Sequence, residues 1–158
     1  MMRREDRRAE PIGIIEQCKI CRVAMIAGGQ PYIVPLNFGF EQRCGGVSLY
    51  FHSAREGRKI SALGENPRVC FEMDCEHQLF AKNDSGDGCS YSFEYASVIG
   101  YGTVRFISGL AGKKRALEHI MKHQTGRGGF TYGDKAVENI CVFELRVESM
   151  DGKRCSRG

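Results

Sequence analysis

Two Gly-Gly pairs, at residues 28–29 and 45–46, limit the fold of this chain more than any other feature. They separate three short apolar runs, at residues 21–27, 31–40 and 47–52. Such short connections can join only antiparallel strands, because a parallel pair needs a crossover of about a dozen residues or more. The first third of the chain is therefore predicted to form consecutive antiparallel hairpins.

The rest of the chain repeats this pattern, with helical segments between the strands. Within residues 47–52, the side chains of Val47, Leu49 and Phe51 fall on one face. Pro35 lacks a backbone donor, which predicts an edge strand or a bulge where the backbone can face a ligand. Further strands are predicted at residues 68–74, 91–107 and 138–148, and helices at residues 10–19, 54–64 and 111–124. We therefore expect a mainly β (α+β) fold, a six-stranded antiparallel barrel with peripheral helices.

Length and composition indicate one ordinary domain. The 158 residues are 42% hydrophobic and 27% charged, which is typical of a globular chain with a single core. We expect one domain over residues 1–158, with a charged N-terminal arm at 1–9 and a C-terminal tail at 150–158. No apolar run approaches the roughly 20 residues that span a bilayer, and no apolar segment follows the charged N-terminus. A cytoplasmic location without membrane association is therefore expected.

The charge and the cysteines argue against several classes of protein. A net charge of +4 suits a small anionic ligand but is too diffuse to predict nucleic-acid binding. Of the eight cysteines, only Cys18 and Cys21 form a close pair, whereas a structural zinc site usually takes two such pairs. No metal site is predicted, and most thiols are expected to be free. His119 and His123, four residues apart, are expected on an exposed helix face.

The segment from His52 to Lys59 carries the clearest chemistry. A strand that runs into a helix presents unpaired first-turn N–H groups, and the helix dipole favours an anion there. Ser53 is a candidate N-cap in a capping box with Glu56, and Arg58 and Lys59 add positive charge. Arginine can bind a phosphate through two hydrogen bonds, while lysine acts as a point charge. The segment predicts a phosphate site; the alternative is a capped surface helix with solvated basic residues.

A set of segments in a fixed order resembles a known superfamily. It resembles the pyridoxamine-5′-phosphate-oxidase-like split barrels that bind flavin mononucleotide (FMN) and, among these, the nitroimidazole-resistance proteins. The resemblance covers residues 3–150. The segments that carry it are residues 31–40, 49–54, 57–59, 66–67, 70–72 and 95–102.

This resemblance implies a six-stranded split barrel that forms a homodimer with FMN at the subunit interface. Residues 33–37 would lie along the flavin ring and offer backbone hydrogen bonds, and residues 51–54 would line the ring and the ribityl chain. Arg58 and Lys59 would grip the phosphate, and Ser97 falls where oxidase relatives place a glutamine that reaches the cofactor. The implied cofactor-binding residues are Ile33, Val34, Pro35, Leu36, Asn37, Phe51, His52, Ser53, Ala54, Arg58, Lys59 and Ser97.

His52 is the candidate catalytic residue. Relatives of the nitroimidazole-resistance type keep a histidine in this motif. In this chain it could hydrogen-bond FMN, position a substrate, or donate a proton near neutral pH. The alternative is a histidine that only packs or hydrogen-bonds locally.

The implied activity is that of an FMN-dependent oxidoreductase that reduces small acceptors such as nitroaromatics, with NAD(P)H or another electron donor. The chain has no tryptophan, so it lacks the C-terminal Arg–Trp segment of true pyridoxamine-phosphate oxidases, and vitamin B6 oxidation is not expected. No G-x-G-x-x-G motif joins a strand to a helix, so a nicotinamide would have to stack directly on the flavin. The alternatives are a non-catalytic flavin-binding or electron-carrier protein, and a haem-binding split barrel with His52 or a cysteine as axial ligand.

Overall fold

A computed structural model describes residues 7–156 of the chain, which form eight strands and four helices. The strands are β1 (Arg7–Ala9), β2 (Ile20–Ala27), β3 (Gln30–Asn37), β4 (Gly39–Arg43), β5 (Gly46–Ala54), β6 (Arg68–Ala81), β7 (Tyr91–Phe106) and β8 (Ile140–Cys155). The helices are α1 (Pro11–Gln17), α2 (Arg58–Glu65), α3 (Leu110–Thr125) and α4 (Asp134–Glu138), and a short 3-10 turn covers Gly88–Ser90. Between residues 7 and 156, no helix has both the length and the apolar composition needed to cross a membrane.

All eight strands belong to one antiparallel sheet that curls into a split barrel. The strand order is β3-β2-β6-β7-β8-β5-β4, and β1 pairs with β8. Strands β3 and β4 therefore stand at opposite edges, although only Phe38 separates them along the chain. Because Asn37 and Gly39 can be at most about 7 Å apart, the sheet has to curl until its two edges meet. The described residues of these edges do not pair with each other, and the barrel is split there.

The prediction of six strands is wrong, because two features of the chain were missed. The run at residues 31–40 is not one strand: it breaks at Phe38, whose side chain is fully buried, and continues as β4 at the other edge of the sheet. Residues 7–9 of the predicted N-terminal arm supply the other extra strand, β1, whose Arg8 lies opposite Lys153 on β8; residues 1–6 of the arm lie outside the described residues. Strand β8 also continues to Cys155, well beyond the predicted end at residue 148.

The inward faces of the strands form the main core. Val47, Leu49 and Phe51 share the buried face of β5, as the alternation predicted. The ring of Phe51 stacks on that of Phe143 with centroids 5.2 Å apart. Other buried members of this core are Cys21, Val23, Met25, Val69, Phe71, Met73, Ala96, Val98, Val104 and Leu145.

Helix α3 covers the outer face of β4, β5 and β8, and it buries a second apolar cluster there. This cluster contains Tyr50, Ala116, Leu117, Ile120, Val137 and Val142. Helix and sheet approach closely at Gly39, where an added Cβ would lie 2.3 Å from the backbone carbon of His119. Any side chain at this position would therefore push α3 away from the sheet.

The expectation that His119 and His123 lie on an exposed helix face is wrong. The His119 ring stacks on the Tyr50 ring, with centroids 5.1 Å apart. His123 Nε2 lies 2.7 Å from the carbonyl oxygen of Cys18, and its ring packs against Phe38. Both histidines face the sheet because α3 lies across the outer face of the barrel, an arrangement that helical spacing alone does not reveal.

The helix predicted at residues 54–64 begins later, and the predicted capping box is wrong. Ser53 and Ala54 continue β5, and the Ser53 hydroxyl donates to the Ala54 carbonyl at 2.8 Å instead of capping the helix. The chain turns at Gly57, whose φ of +134° is readily adopted only by glycine. Gly64 lies inside α2, and the helix ends at Glu65. Asn66 follows as its C-cap in an extended conformation, because the helical conformation is disfavoured for the residue before a proline.

Two further features concern β7 and α4. The strand predicted at residues 91–107 forms β7, and its register against β8 shifts between Tyr101 and Gly102. The short helix α4 was not predicted. Five residues are too few for a periodic apolar pattern to stand out from a loop.

Candidate functional site

Strand β3 is an open edge, as Pro35 predicted. It pairs only with β2, among the strands that the structure describes. Its side chains alternate: Val34 and Leu36 pack against the barrel core, whereas Ile33 is 61% exposed. The backbone groups on the unpaired side of β3 remain available to hydrogen-bond a ligand, because no neighbouring strand takes them.

The end of β5 is a second open edge at the same split. Strand β4 pairs with β5 only as far as Tyr50, which lies opposite Gly39. Beyond this point residues 51–54 pair with β8 on one side, with Ala54 opposite Ile140, and no other described strand flanks them. The structure thus brings the two predicted backbone segments, 33–37 and 51–54, to the two edges that border the split.

The side chains of residues 51–54 differ in what they can offer. Phe51 is fully buried in the core, so only its backbone can reach a ligand. His52, on the opposite face, is half-buried. Ser53 uses its hydroxyl within the chain, and Ala54 is exposed. Of the four side chains, that of His52 is best suited to hydrogen-bond a ligand or to transfer a proton.

The Nδ1 atom of His52 is buried and has no hydrogen-bond partner in residues 7–156. Buried polar atoms in folded proteins almost always have a partner, and those without one call for an explanation. Burial also lowers the pKa of His52, so the imidazole is neutral at pH 7. A bound group that hydrogen-bonds this nitrogen would satisfy it.

The predicted phosphate residues Arg58 and Lys59 form the start of α2. The carbonyl of Gly57 accepts hydrogen bonds from Ile60 and Ser61, whereas the N–H groups of Arg58 and Lys59, which precede them in the first turn, have no acceptor within the helix. The guanidinium of Arg58 lies 4.2 Å from the centre of the Tyr32 ring on β3. In the described part of the chain, Arg55, Arg58 and Lys59 form no ion pair with a carboxylate.

A further cation beside this segment, Lys113 on α3, was missed by the sequence analysis. Its Nζ donates to the carbonyl of Ile140 at 2.8 Å and lies 3.4 Å from that of Val137. Ile140 pairs with Ala54, so α3 brings this ammonium to the end of β5. No local sequence signal could have shown this, because Lys113 lies more than fifty residues beyond the motif.

Several cations also lie near the thiol of Cys141, the residue that follows Ile140 on β8. Cys141 lies opposite Ser53 on β8. Burial raises the pKa of this thiol, and nearby cations act against that rise. These cations are Lys113, Lys59 and Arg55.

Ser97 is not brought to this site within one chain. It lies on β7 opposite Lys153 of β8, whereas His52 lies opposite Val142 of the same strand. Across the sheet, Ser97 lies two residues from Ile99, which is aligned with Glu72 on β6, Arg22 on β2 and Pro35 on β3. Three strand spacings of about 4.8 Å put Ser97 roughly 15 Å from β3. One copy of the chain therefore gathers residues 33–37, 51–54, 58 and 59 around the split, while β6 and β2 separate Ser97 from β3.

Comparisons with known proteins agree with this architecture. The family model of pyridoxamine 5′-phosphate oxidase matches residues 7–154. A candidate 5-nitroimidazole antibiotic resistance protein from Bacteroides thetaiotaomicron is 38% identical, with a TM-score of 0.77; the match covers 90% of this chain and 81% of that one. No curated protein sequence matches this chain.

Two more distant structures share the fold. A flavocytochrome from Azotobacter vinelandii is 21% identical with a TM-score of 0.72, and the match covers 92% of this chain and 66% of that one. An FAD-binding protein from Mesorhizobium loti is 24% identical with a TM-score of 0.65, and the match covers 96% of this chain and 99% of that one. By its fold, its family match over residues 7–154 and its 38% identity to the Bacteroides protein, the chain belongs to the pyridoxamine 5′-phosphate oxidase family of split-barrel proteins, in the group of the nitroimidazole-resistance proteins.

Proposed function

We propose that the protein binds FMN at the split of the barrel and acts as an oxidoreductase that reduces small acceptors such as nitroaromatics. The observation that carries this proposal is the contact between Arg58 and Tyr32. It joins the open edge of β3 to the basic start of α2, so backbone hydrogen-bonding groups and unpaired positive charge lie side by side. A flavin mononucleotide requires this combination, because a polar ring edge and a phosphate are parts of the same molecule.

The described residues fit each part of FMN. The unpaired backbone of residues 33–37 suits the polar edge of the flavin ring, and that of residues 51–54 suits the ring and the ribityl chain. Arg58 and Lys59, which have no carboxylate partner in residues 7–156, suit the phosphate. Three proteins of the same fold are described as FAD-binding, one of them also as haem-binding, which supports a flavin as the cofactor.

Bound FMN would supply the hydride-transfer chemistry of the flavin ring. The chain would position it, shield it from water on the barrel side and provide a proton source. His52 is the candidate for that last role, because its neutral imidazole lies at the split and its Nδ1 lacks a partner within residues 7–156. As a neutral imidazole it would act as a relay, accepting a proton from water on one ring nitrogen and passing the proton of the other to the substrate.

The proposal includes a homodimer with FMN at the subunit interface. Its first support is the place of Ser97 in the sheet: β6 and β2 separate it from the open edge of β3, and a second copy would bring its own Ser97 to the split. Its second support is a row of exposed apolar side chains on the outer face of β6 and β7. These are Leu79, Tyr91, Phe93, Ile99 and Tyr101, each between 46% and 60% exposed. Large apolar side chains in such a row commonly mark a protein interface.

The visible spectrum of the purified protein, recorded before and after anaerobic addition of NADPH, tests this function. Flavin bands that bleach would support a reducible flavoprotein and justify measuring the reduction of nitroaromatics and quinones. Flavin bands that persist would favour an electron carrier or another electron donor over the proposed NAD(P)H-dependent enzyme. A Soret band would indicate that the protein binds haem instead of a flavin. A colourless protein that does not bind added FMN would overturn the proposal.

A further inference from the structure

Lys113 is an unusual cation for the second turn of a helix. Its ammonium group is partly buried and directed at two backbone carbonyls, those of Ile140 and Val137. An ammonium has three N–H donors, and these contacts use two of them. Withdrawing a charge from water is costly unless other groups compensate. Yet no carboxylate in residues 7–156 forms an ion pair with Lys113.

The position of this ammonium relates it to the basic start of α2. Ile140, whose carbonyl it contacts, lies opposite Ala54 at the end of β5. The next residue on β8, Cys141, is within the electrostatic range of both Lys113 and Lys59. Helices α2 and α3 therefore each bring a cation close to Cys141, beside the end of β5.

We propose that Lys113 is a third cationic ligand of the phosphate-binding site, beside Arg58 and Lys59. This inference rests on the proposed binding of FMN at the split. The two carbonyl contacts fix the ammonium in place, and its remaining donor is available to the anion. The anion would in turn provide the counter-charge that the described residues do not. Phosphate binding would thereby depend on the packing of α3 against the barrel.

Phosphate recognition can be separated from general flavin binding by comparing FMN with riboflavin, which has the same ring and ribityl chain but no phosphate. Dissociation constants for both are measured by flavin fluorescence with the full-length protein. Lys113→Gln keeps a donor for the carbonyls and removes the charge. We expect it to weaken FMN binding about tenfold and to leave riboflavin binding unchanged, while Lys113→Arg restores most of the FMN affinity.

The matched control is Lys114→Gln on the same helix, because Lys114 pairs with the exposed Asp134 instead of facing the split. It should change neither affinity. Equal weakening of FMN and riboflavin by Lys113→Gln, or no weakening of either, would overturn the role of Lys113 and leave the proposed function intact. A wild-type protein that binds neither flavin would overturn the proposed function itself.

A measurement on the wild-type protein makes the test independent of how the variants fold. Lysine acetylation is followed by mass spectrometry without ligand, with FMN and with riboflavin. FMN should protect Lys113 at least several-fold more than riboflavin does, and Lys114 should react equally in all three samples. Equal protection of Lys113 by both flavins would show that its ammonium does not contact the phosphate.

Discussion

The guanidinium of Arg58 lies 4.2 Å from the centre of the Tyr32 ring, and this contact is where the start of α2 meets the open edge of β3. A cation held over an aromatic face at this distance is attracted by the ring quadrupole. The ring thus orients Arg58 without neutralising it, since no carboxylate is involved. An arginine held in this way keeps its hydrogen-bond donors available for an anion beside the split.

Removing both basic residues of α2 should abolish retention of FMN. We expect Arg58→Ala combined with Lys59→Ala to purify with less than about a tenth of the wild-type flavin, because each charge-assisted hydrogen bond contributes about 1.5–3 kcal/mol. Flavin content is measured from the visible spectrum, and folding from circular dichroism. The double variant Lys82→Ala with Lys135→Ala removes the same charge from exposed positions and should retain its flavin. A full flavin complement in the first variant would show that the phosphate assignment is wrong.

Replacing His52 should affect turnover more than flavin content. We expect His52→Phe to lower kcat for nitroaromatic reduction about 100-fold, within the range that general acid–base groups contribute. In the wild type, the pH profile should show an inflection below the ordinary histidine pKa, because burial lowers the pKa of His52. His77→Phe, at an exposed position, is the control. An unchanged rate and pH profile in His52→Phe would indicate a histidine that only packs.

Charged side chains introduced by substitution on the outer face of β7 should dissociate the proposed dimer. Ile99 and Tyr101 are both about half exposed, so Ile99→Lys with Tyr101→Lys should not disturb the barrel core. We expect light scattering to give the dimer mass for the wild type and the monomer mass for the variant. Flavin content should fall with the dimer, because the proposed site is completed by a second copy. A wild type that is already a monomer and binds FMN would contradict this part of the proposal.

The stability of the fold should decrease as the pH falls through the histidine range. Burial lowers the pKa of His119 and of His123 in the folded protein. Below the ordinary pKa of about 6.5, the unfolded chain therefore binds more protons than the folded one, and the free energy of unfolding declines with pH. Urea unfolding at pH 7.5, 6.5 and 5.5 measures this slope. The glutamine in His123→Gln can still donate to the Cys18 carbonyl. This variant should lower the slope of unfolding free energy against pH by the equivalent of at most one bound proton. An identical slope would exclude His123 as a contributor.

A methyl group at Gly39 should loosen the contact between α3 and the sheet. Its Cβ would lie 2.3 Å from backbone atoms of His119 and Ile120, so helix or strand must move, and overpacking of this kind costs about 1–3 kcal/mol. The matched control is Gly64→Ala inside α2, where nothing lies within 4 Å of the added carbon; it should stabilise the protein by about 0.5–1 kcal/mol. Urea unfolding measures both, and equal effects would contradict the close approach at Gly39.

Most strands were predictable because their signals are local. The glycine pairs and the alternation through Val47, Leu49 and Phe51 predicted hairpins and a buried face, and the structure confirms both. The break at Phe38 was not predictable, because the apolar run continues through it and only the closure of the barrel sends β3 and β4 to opposite edges. The start of α2 was misplaced for a related reason: pairing of Ser53 with Cys141 prolongs β5 past a capping pattern that is locally plausible.

The sequence by itself determined the antiparallel β architecture, the edge character of β3 and the motif from His52 to Lys59, since each depends on residues close together in the chain. Only the tertiary structure decided which groups meet. It placed His119 and His123 between α3 and the barrel, brought Arg58 to Tyr32 and Lys113 to the end of β5, and set two strands between Ser97 and β3. The physical reason is that strand pairing and helix packing create contacts between residues that are separated by 26 to more than 100 positions in the sequence. Local conformational preferences carry no information about such contacts.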